Sequence, residues 1–437
     1  MRWKETDYAG WGRVQRAHGL IARPEKVSAL KADLAEGMAP AIGMRRSYND
    51  APLNSGGRAI DMTRLDRILS FDDKTGVLEA EAGIRIGELA RLFAPRGWIP
   101  TIMPGTGLAT LGGCIAQDVH GKAHHIDGSF GQHVKSVTLL QGDRRVVATP
   151  ARNKALFRAT MGGVGQTGVI LSAKIQMTPC PGTSVRVHET RVENWDEFIA
   201  LLDNSTAPYV VGWIDTVATG ASMGRGILEE GHLSDGHEPW PRKRRKVPLD
   251  APGFLISNPV VRLFNAAYWR SVPAGGRVVE RPIPEFFFPL DKVLDWNRLY
   301  GKRGFYQFQT VVPLDQVGTL RGMFEKITGS GLASPLAVIK RMGPGRAGHM
   351  SFPMPGYTLA LDFPARPRAR LLIEQLEVMT REAGGRLYLA KDALAPGEVI
   401  KPMYPEHAEW AAICDKYDPE RALQTDLTRR LNLRSAT

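Results

Sequence analysis

The sequence predicts an α+β protein of two domains, and three observations lead there. At 437 residues the chain is long for one core, and 43% hydrophobic residues are enough to fill two. Short strand-like apolar runs alternate with amphipathic helical patterns along the chain. In the second half a strand is repeatedly followed by a helix, and such units pack helices on one face of an antiparallel sheet.

In chain order, "RPEKVSALKADLAEG" sets Val27, Leu30 and Leu34 on one helical face, with Pro24 early and Gly37 as a stop. Short strands follow in "APAIGM" and "RAIDM". Next, "ILSFDDKTGVLEAEAG" reads as a hairpin whose apolar runs flank the turn Asp72 to Gly76. "IGELARLFAPRGW" is a helix broken at Pro95 and Gly97, and "IPTIMPG" a strand ending in a turn. "VKSVTLLQGDRRVVAT" is strand, Gly-Asp turn, strand. "NKALFRATMGG" predicts a helix and "GVILSAKIQMTPCPG" a strand closed by two prolines, so Pro179 to Gly182 marks the expected domain boundary. Beyond it, "RVHETRVENWDEFIALLDN", "FQTVVPLDQVGTLRGMFEKITGSG" and "YTLALDFPARPRARLLIEQLEVMTREAGGRLYLAKD" carry the strand-then-helix theme. The tail "YPEHAEWAAICDKYDPERALQTDLTRRL" is helical with a break at Pro419.

Composition narrows the function classes. Cys114, Cys180 and Cys414 are odd in number and widely spaced, with no CxxC pair to clamp zinc or exchange disulfides, so a reducing compartment is expected. No run of about 18 apolar residues occurs, and "MRWKETDYAGWGR" has no signal-peptide core. The expectation is a cytoplasmic protein whose membrane contact, if any, is peripheral at the inner membrane. A net charge of +12 favours an anionic partner: nucleic acid, lipid headgroups or a phosphorylated substrate. The most basic run, "PRKRRK" from Pro241 to Lys246, reads as a solvated mobile loop, with an anionic docking site as the other reading. It lacks the interleaved aromatics of a single-strand groove, and no nucleic-acid partner is expected.

"GVGQTG", Gly163 to Gly168, satisfies G-x-G-x-x-G, but a helix leads in and a strand leads out, the reverse of a dinucleotide loop. It reads as a strand-capping turn. The glycine-rich runs "IGMRRSYNDAPLNSGG" and "MPGTGLATLGGCIAQDVHG" are either tight turns of a β-rich domain or backbone concavities able to hold a pyrophosphate. In "GGCIAQDVHGKAHH", His120 and His124 stand four apart as helical metal ligands do. Gly121 interrupts them and no H-E-x-x-H carboxylate is present, so no metal is expected. His124, His125 and His133 are read as structural hydrogen-bonders, and Lys122 as a residue that holds the loop's shape.

In their order, "RSYND", "PGTGLATLGGCIAQDVHGKAHHIDGSFG" and "GGVGQTG" resemble the FAD domain of the vanillyl-alcohol-oxidase superfamily (PCMH-type), and within it the branch of polyprenyl-phosphoryl-ribose 2'-oxidases. "FPLDKVLDWNRLYG", "YQFQTVVP", "IKRMGPG", "SFPMPGY", "LDFP" and "GGRLYLAKD" extend the likeness, so that it runs from about Ala39 to the end. The resemblance implies an FAD domain formed by residues 1–182 and a C-terminal return 386–437, with an antiparallel substrate domain, 183–385, roofing the isoalloxazine. It implies a first FAD loop from Ala41 to Ala51 that includes Gly43, with Arg46, Ser47, Tyr48, Asn49 and Asp50 as its core. Pro104, Gly105, Thr106, Thr110, Gly112 and Gly113 would meet the pyrophosphate. Gln117, Asp118, Val119, His120 and Gly121 would face the flavin, with Ile170 and Tyr388 completing the pocket. Some superfamily members attach FAD through a histidine in the first loop; Arg46 stands at that position, which implies noncovalent FAD.

Oxidising a secondary alcohol with a flavin needs a hydride path, a group for the hydroxyl proton and a cation for the reduced ring. The resemblance makes Lys391 and His120 the catalytic candidates, and Tyr48, Gln307, Gln309, Lys340 and Lys391 the substrate contacts. Each also has an ordinary reading: Gln307 and Gln309 alternate along a strand, and Lys340 could be a surface charge. Ala360 stands where mycobacterial members carry a cysteine that reacts with nitroaromatic inhibitors; Arg45 replaces a glycine, Gln117 a cysteine and Phe288 a histidine. The implied activity is oxidation of the 2'-hydroxyl of a polyprenyl-phosphoryl-β-D-ribose, the first half of epimerisation to an arabinose donor for the cell envelope, with an NAD(P)H-dependent keto-reductase as partner. The alternatives are a soluble alditol or aldonolactone oxidase of the same superfamily and a non-catalytic anionic-lipid binder.

Overall fold

Strand alternation and tight turns sort this chain into three main sheets; the computed structural model describes residues 3–240 and 244–434. The first sheet holds β1 (Lys4–Ala9), β2 (Arg16–Ala22), β3 (Ala41–Ile42) and β4 (Arg58–Asp61) in the order β1-β2-β4-β3. The hairpin β1–β2 is antiparallel, and β4 pairs in parallel with β2 and β3. Helix α1 (Val27–Ala35) buries Leu30 and Leu34 against it and ends before Gly37, whose φ of +130° stops the helix as expected.

The second sheet contains β5 (Ile68–Asp72), β6 (Val77–Glu81), β7 (Trp98–Pro100), β8 (Val134–Gln141), β9 (Arg144–Ala148) and β10 (Val169–Pro179). Its order is β5-β6-β10-β8-β9, with β7 also on β10, and every pairing is antiparallel. Both expected hairpins form, with Gly76 and Gly142 at positive φ in their turns. Four helices interrupt these strands: α2 (Ile86–Phe93), α3 (Leu111–Ala116), α4 (His124–Asp127) and α5 (Lys154–Thr160). Helix α5 leads into "GVGQTG" and β10 leads out, the order read from the sequence.

After the Pro179–Gly182 punctuation the chain builds β11 (Ser184–Val192), β12 (Tyr209–Ile214), β13 (Gly226–Ser234), β14 (Arg245–Lys246), β15 (Arg277–Pro282), β16 (Val293–Leu294), β17 (Phe305–Val312), β18 (Ala337–Met342), β19 (Gly356–Pro364) and β20 (Arg386–Leu387). Eight of them form an antiparallel sheet, β15-β11-β13-β12-β18-β19-β17-β20, while β14 and β16 pair separately in parallel. "PRKRRK" is only partly a loop: Arg245 and Lys246 form β14, and Pro241, Arg242 and Lys243 lie outside the described residues. Helices α6 (Trp195–Asn204), α7 (Asn258–Arg270), α8 (Ile283–Phe287), α9 (Val317–Gly329) and α10 (Pro367–Glu382) punctuate these strands. The tail adds α11 (Gly397–Ile400), α12 (His407–Tyr417) and α13 (Asp426–Arg430), with the break at Pro419 between the last two.

Successive strand side chains point to opposite faces. On β17, Phe308 and Val312 enter an apolar core with α6, α9 and α10, as Ile339 does from β18 and Leu359, Leu361 and Phe363 do from β19. The alternate residues, Gln307 and Gln309, Val338 and Lys340, Thr358, Ala360 and Asp362, face a cavity instead. The sheet is thus oil on one side and a polar roof on the other. Among the described residues no helix is long and apolar enough to cross a membrane.

Candidate active site

The roof closes a cavity of about 610 Å³, within the roughly 300–1,000 Å³ usual for ligand sites. Its floor is the two glycine-rich loops. Gly43 lies so close to Thr110 that a Cβ there would stand 2.3 Å from Oγ1, so only glycine lets the loops meet. Thr110 also caps α3, its Oγ1 accepting from Gly113 N at 3.2 Å. A Cβ on Gly105 or Gly165 would meet no protein atom within 4 Å, and both residues border the cavity, leaving room for a large cofactor. Asp291, from the 3-10 turn Pro289–Lys292, holds the second loop: it accepts from Thr106 Oγ1 at 2.7 Å and Gly107 N at 2.8 Å.

Most of the expected residues line this space: Ala41, Gly43, Arg46, Ser47 and Tyr48 from the first loop; Pro104, Gly105, Thr106, Thr110 and Gly113 from the second; Gln117, Val119, His120 and Gly121 after it. Gln307, Gln309, Lys340, Tyr388 and Lys391 join them from the roof and the return. Five do not line the cavity. Asn49 donates to Leu389 O at 2.7 Å and to Asp392 O, and Asp50 receives a two-pronged ion pair from Arg430 at 2.7 and 3.0 Å. Gly112 abuts Ala82, and Ile170 is packed in the core of the second sheet. Asp118 does not line the cavity: its carboxylate accepts from Ser129 Oγ, Gly131 N, Ala347 N and Ser351 Oγ, and so fixes the loop. These five shape the wall from behind.

Arg430 reaches both carboxylates that flank the site, Asp50 and, at 3.1 Å, Asp392. Each acid adjoins a cavity residue, Tyr48 through Asn49 and Lys391 directly. The return therefore locks the first loop against the "YLAKD" turn, and Tyr48 N donates to Ala390 O at 2.9 Å.

The polar cluster under the roof is short of partners. Lys391 Nζ lies 3.5 Å from the Tyr48 ring centroid. Burial pulls its pKa well below the ordinary lysine value; Asp362 opposes that shift and Lys340 adds to it. Asp362 is buried, and its carboxyl is raised by desolvation although Gln307 Nε2 donates to Oδ1 at 2.5 Å; Oδ2 has no partner. Lys340 is lowered to about 8, by burial first and then by the charge of Lys122. His120 is held well below 6.5 by burial, then by Lys340, His124 and Lys391, so its imidazole is neutral. Its Nε2 meets Gln309 Nε2 at 3.1 Å, its Nδ1 is enclosed without a partner, and its ring packs on Phe352 and Tyr388. Arg46 lies 3.9 Å from the Trp11 ring centroid with a buried, unpartnered Nε, an orphan suited to an anionic group.

His124 spends both nitrogens on the 343–345 turn, donating to Gly345 O at 2.8 Å and accepting from Gly343 N at 3.2 Å, so none is left to chelate. His125 bonds Ala207 O, His133 bonds Asp127 O, and Lys122 is pinned by Phe286 O and Glu229. Among the described residues one ligand-type trio exists elsewhere, His349, Glu406 and Glu409, but Arg158 and Arg346 already neutralise Glu406.

Sequence reasoning missed three contributors. Trp11, which also lines the cavity, comes from the β1–β2 tip, where Trp11 N and Gly12 N donate to Ser47 O and Tyr48 O. The glycine pair in "YAGWG" was the available signal: a Cβ on Gly10 or Gly12 would run into the first loop. Asp291 and Asp362 were the others. Arg45, where the resemblance has glycine, takes a φ of +51°, the left-handed region that glycine favours.

Residues 34–150 match the family model described as FAD binding domain, and the two glycine loops that floor the cavity lie within that segment, so the chain is an FAD-dependent oxidoreductase. The chain is 36% identical to decaprenylphosphoryl-beta-D-ribose oxidase of Mycolicibacterium smegmatis over 97% of each protein, and it belongs to that family. It is also 29% identical to an uncharacterized protein in the mprA 5' region of Streptomyces coelicolor, over 80% of this chain and all of that one. A D-arabinono-1,4-lactone oxidase of Yarrowia lipolytica shares 24% identity over 46% of this chain and 38% of its own.

Proposed function

We propose that this enzyme oxidises the ribose 2'-hydroxyl of a polyprenyl-phosphoryl-β-D-ribose to the 2'-ketone, using noncovalently held FAD. The observation that carries the reading is the polar cluster in the cavity, Asp362, Gln307 and Gln309 from the roof with Lys391 from the return, in one space with the two glycine loops. The kinship with a decaprenylphosphoryl-ribose oxidase over nearly the whole chain supports the substrate class; the likeness to a lactone oxidase covers under half of it.

The division of labour is as follows. Gly43, Gly105, Gly113 and Gly165 give backbone approach to the cofactor, and Arg46 takes an anionic group. Bound FAD supplies a two-electron acceptor for the hydride of the carbinol carbon. Lys391, in its amine form, accepts the hydroxyl proton, and Asp362 stabilises the resulting ammonium. Gln307 and Gln309 orient the sugar, while neutral His120 positions Gln309. Lys340 supplies a second cation.

In this reading residues 1–182 and 386–437 form the FAD domain and 183–385 the substrate domain. The enzyme works in the cytoplasm, peripheral to the inner membrane, and a separate NAD(P)H-dependent reductase consumes the ketone. Anaerobic bleaching of the yellow protein by a polyprenyl-phosphoryl ribose, but not by free alditols, is the expected result. Bleaching by alditols alone would transfer the chain to the soluble sugar oxidases, and a colourless protein would leave only a lipid binder. Acid denaturation is expected to release all flavin into the supernatant; flavin that stays with the precipitate would overturn noncovalent attachment.

A further inference from the structure

Helix α7 is amphipathic in the inverse sense. Its buried side carries Val261, Asn265 and Trp269. Asn265 Nδ2 donates to Asp215 Oδ1 at 2.7 Å and Trp269 Nε1 to Val192 O at 2.9 Å, so polar anchors moor the helix to the protein. Its outer side carries Val260, Leu263, Phe264 and Tyr268 at helical spacing, with Leu263 75% and Phe264 53% exposed. The preceding stretch adds Leu249 at 75% and Phe254 at 65%. Phe254 lies on the 3-10 turn Gly253–Ile256, and Ile256 packs into the clusters holding Val261 and Trp296. An apolar stripe of this extent is not what a water-facing surface needs.

Two further observations say what covers it. The stripe runs into the cavity, because Phe264 and Tyr268 also line it and Tyr268 meets Trp213 edge-on at 4.8 Å. Cations edge it: Arg262 and Arg270 on the helix, Lys302 and Arg303 beyond the 3-10 stretch Trp296–Tyr300, and Arg245 on β14. All are exposed, and Arg245, Arg262, Lys302 and Arg303 make no ion pair among the described residues. Strand β14 pairs with Val293 and Leu294, both cavity-lining, which sets its charges at the rim.

We propose that α7 and the turn before it seat the enzyme on an anionic bilayer, so that a lipid tail passes from the membrane past Phe264 and Tyr268 into the cavity. An apolar stripe sinks to the acyl boundary while flanking cations meet the headgroups. The inference rests on the polyprenyl reading above and adds the surface through which that substrate arrives.

The test is flotation of the full-length FAD-loaded protein with phosphatidylcholine vesicles, with and without phosphatidylglycerol. Binding to the phosphatidylglycerol vesicles, weakened by salt, is expected. The double variant Leu263→Gln with Phe254→Ser should lose roughly tenfold or more of it, and Arg245→Glu with Arg262→Glu should lose it on anionic vesicles only. Both variants should keep the parent's melting temperature, flavin spectrum and bleaching by a short-chain, water-soluble polyprenyl-phosphoryl ribose. A parent that does not float, or an apolar variant that floats as the parent does, overturns the proposal. So does a dimer in lipid-free buffer that these apolar substitutions dissociate, which would give the stripe to a second copy. Flotation without bleaching would sink the substrate reading and leave the seat standing.

Discussion

Lys391 rests its Nζ on the face of Tyr48, 3.5 Å from the ring centroid, and this contact joins the "YLAKD" turn to the first cofactor loop. Burial lowers Lys391 to about 7, and Asp362 is the group that opposes the shift. If the amine accepts the hydroxyl proton, flavin reduction rises with pH through that pKa and levels above it. Asp362→Asn removes the carboxylate that favours the ammonium, so the limb moves to lower pH. Single-turnover flavin bleaching across pH 5–9, a range of about two units either side of the lysine pKa, reads this directly. A limb that stays in place removes Asp362 from the proton step, and a rate that falls with pH makes the lysine a required cation instead. Lys391→Ala should slow the step by ~10²–10⁴-fold with the fold intact.

His120 serves a different end. Burial and the neighbouring cations disfavour imidazolium and hold its ring toward the neutral form. His120→Ala is expected to slow reduction roughly 5- to 150-fold, the loss of one buried hydrogen bond to Gln309, with an unshifted pH profile. Gln309→Leu should match it. Disappearance of the pH limb in His120→Ala would assign the proton to the histidine.

Arg430 is the keystone of the return. Arg430→Ala leaves Asp50 and Asp392, both nearly buried, without their shared cation. The expected cost is about 3–5 kcal/mol of stability, read as a lower denaturation midpoint together with faster flavin loss. Arg430→Lys should recover only part, since an ammonium cannot reproduce the two-pronged pair with Asp50. A midpoint unchanged in Arg430→Ala would show that the clamp contributes nothing.

The cavity carries no thiol. Cys114, Cys180 and Cys414 are all buried, with pKa values raised by desolvation, while Ala360 faces the cavity between Gln309 and Val338. Native protein should therefore resist thiol-directed electrophiles, and Ala360→Cys should gain one reactive site that substrate protects. Mass spectrometry of the intact chain counts the adducts; labelling of native protein would contradict the burial.

Local signals survive well in this sequence. The Gly142-Asp143 hairpin, the Gly37 stop and the order of elements around "GVGQTG" lie where their turn chemistry puts them. The β1–β2 hairpin does not announce itself, because most of β1 is polar, leaving no apolar period to read. Helix α7 is hidden for another reason: apolar residues lie on both its buried and its outer side, which blurs the helical period. Asp362 reads as the end of an apolar strand, "LDFP"; only its register opposite Gln307 shows that it enters the cavity. Asp118 matched its motif yet turned inward, since four donors wait behind the loop. Resemblance identifies which segments build a site, and packing decides which side chains face it.

The Asp50–Arg430 pair spans 380 residues. At roughly 5–20 residues per second of synthesis, about 20–80 s separate the appearance of its two halves. During that interval the first loop is held by the β1–β2 tip and by Thr110 but lacks its C-terminal clamp. The wall behind the first loop is consequently completed only when the last helix has been made.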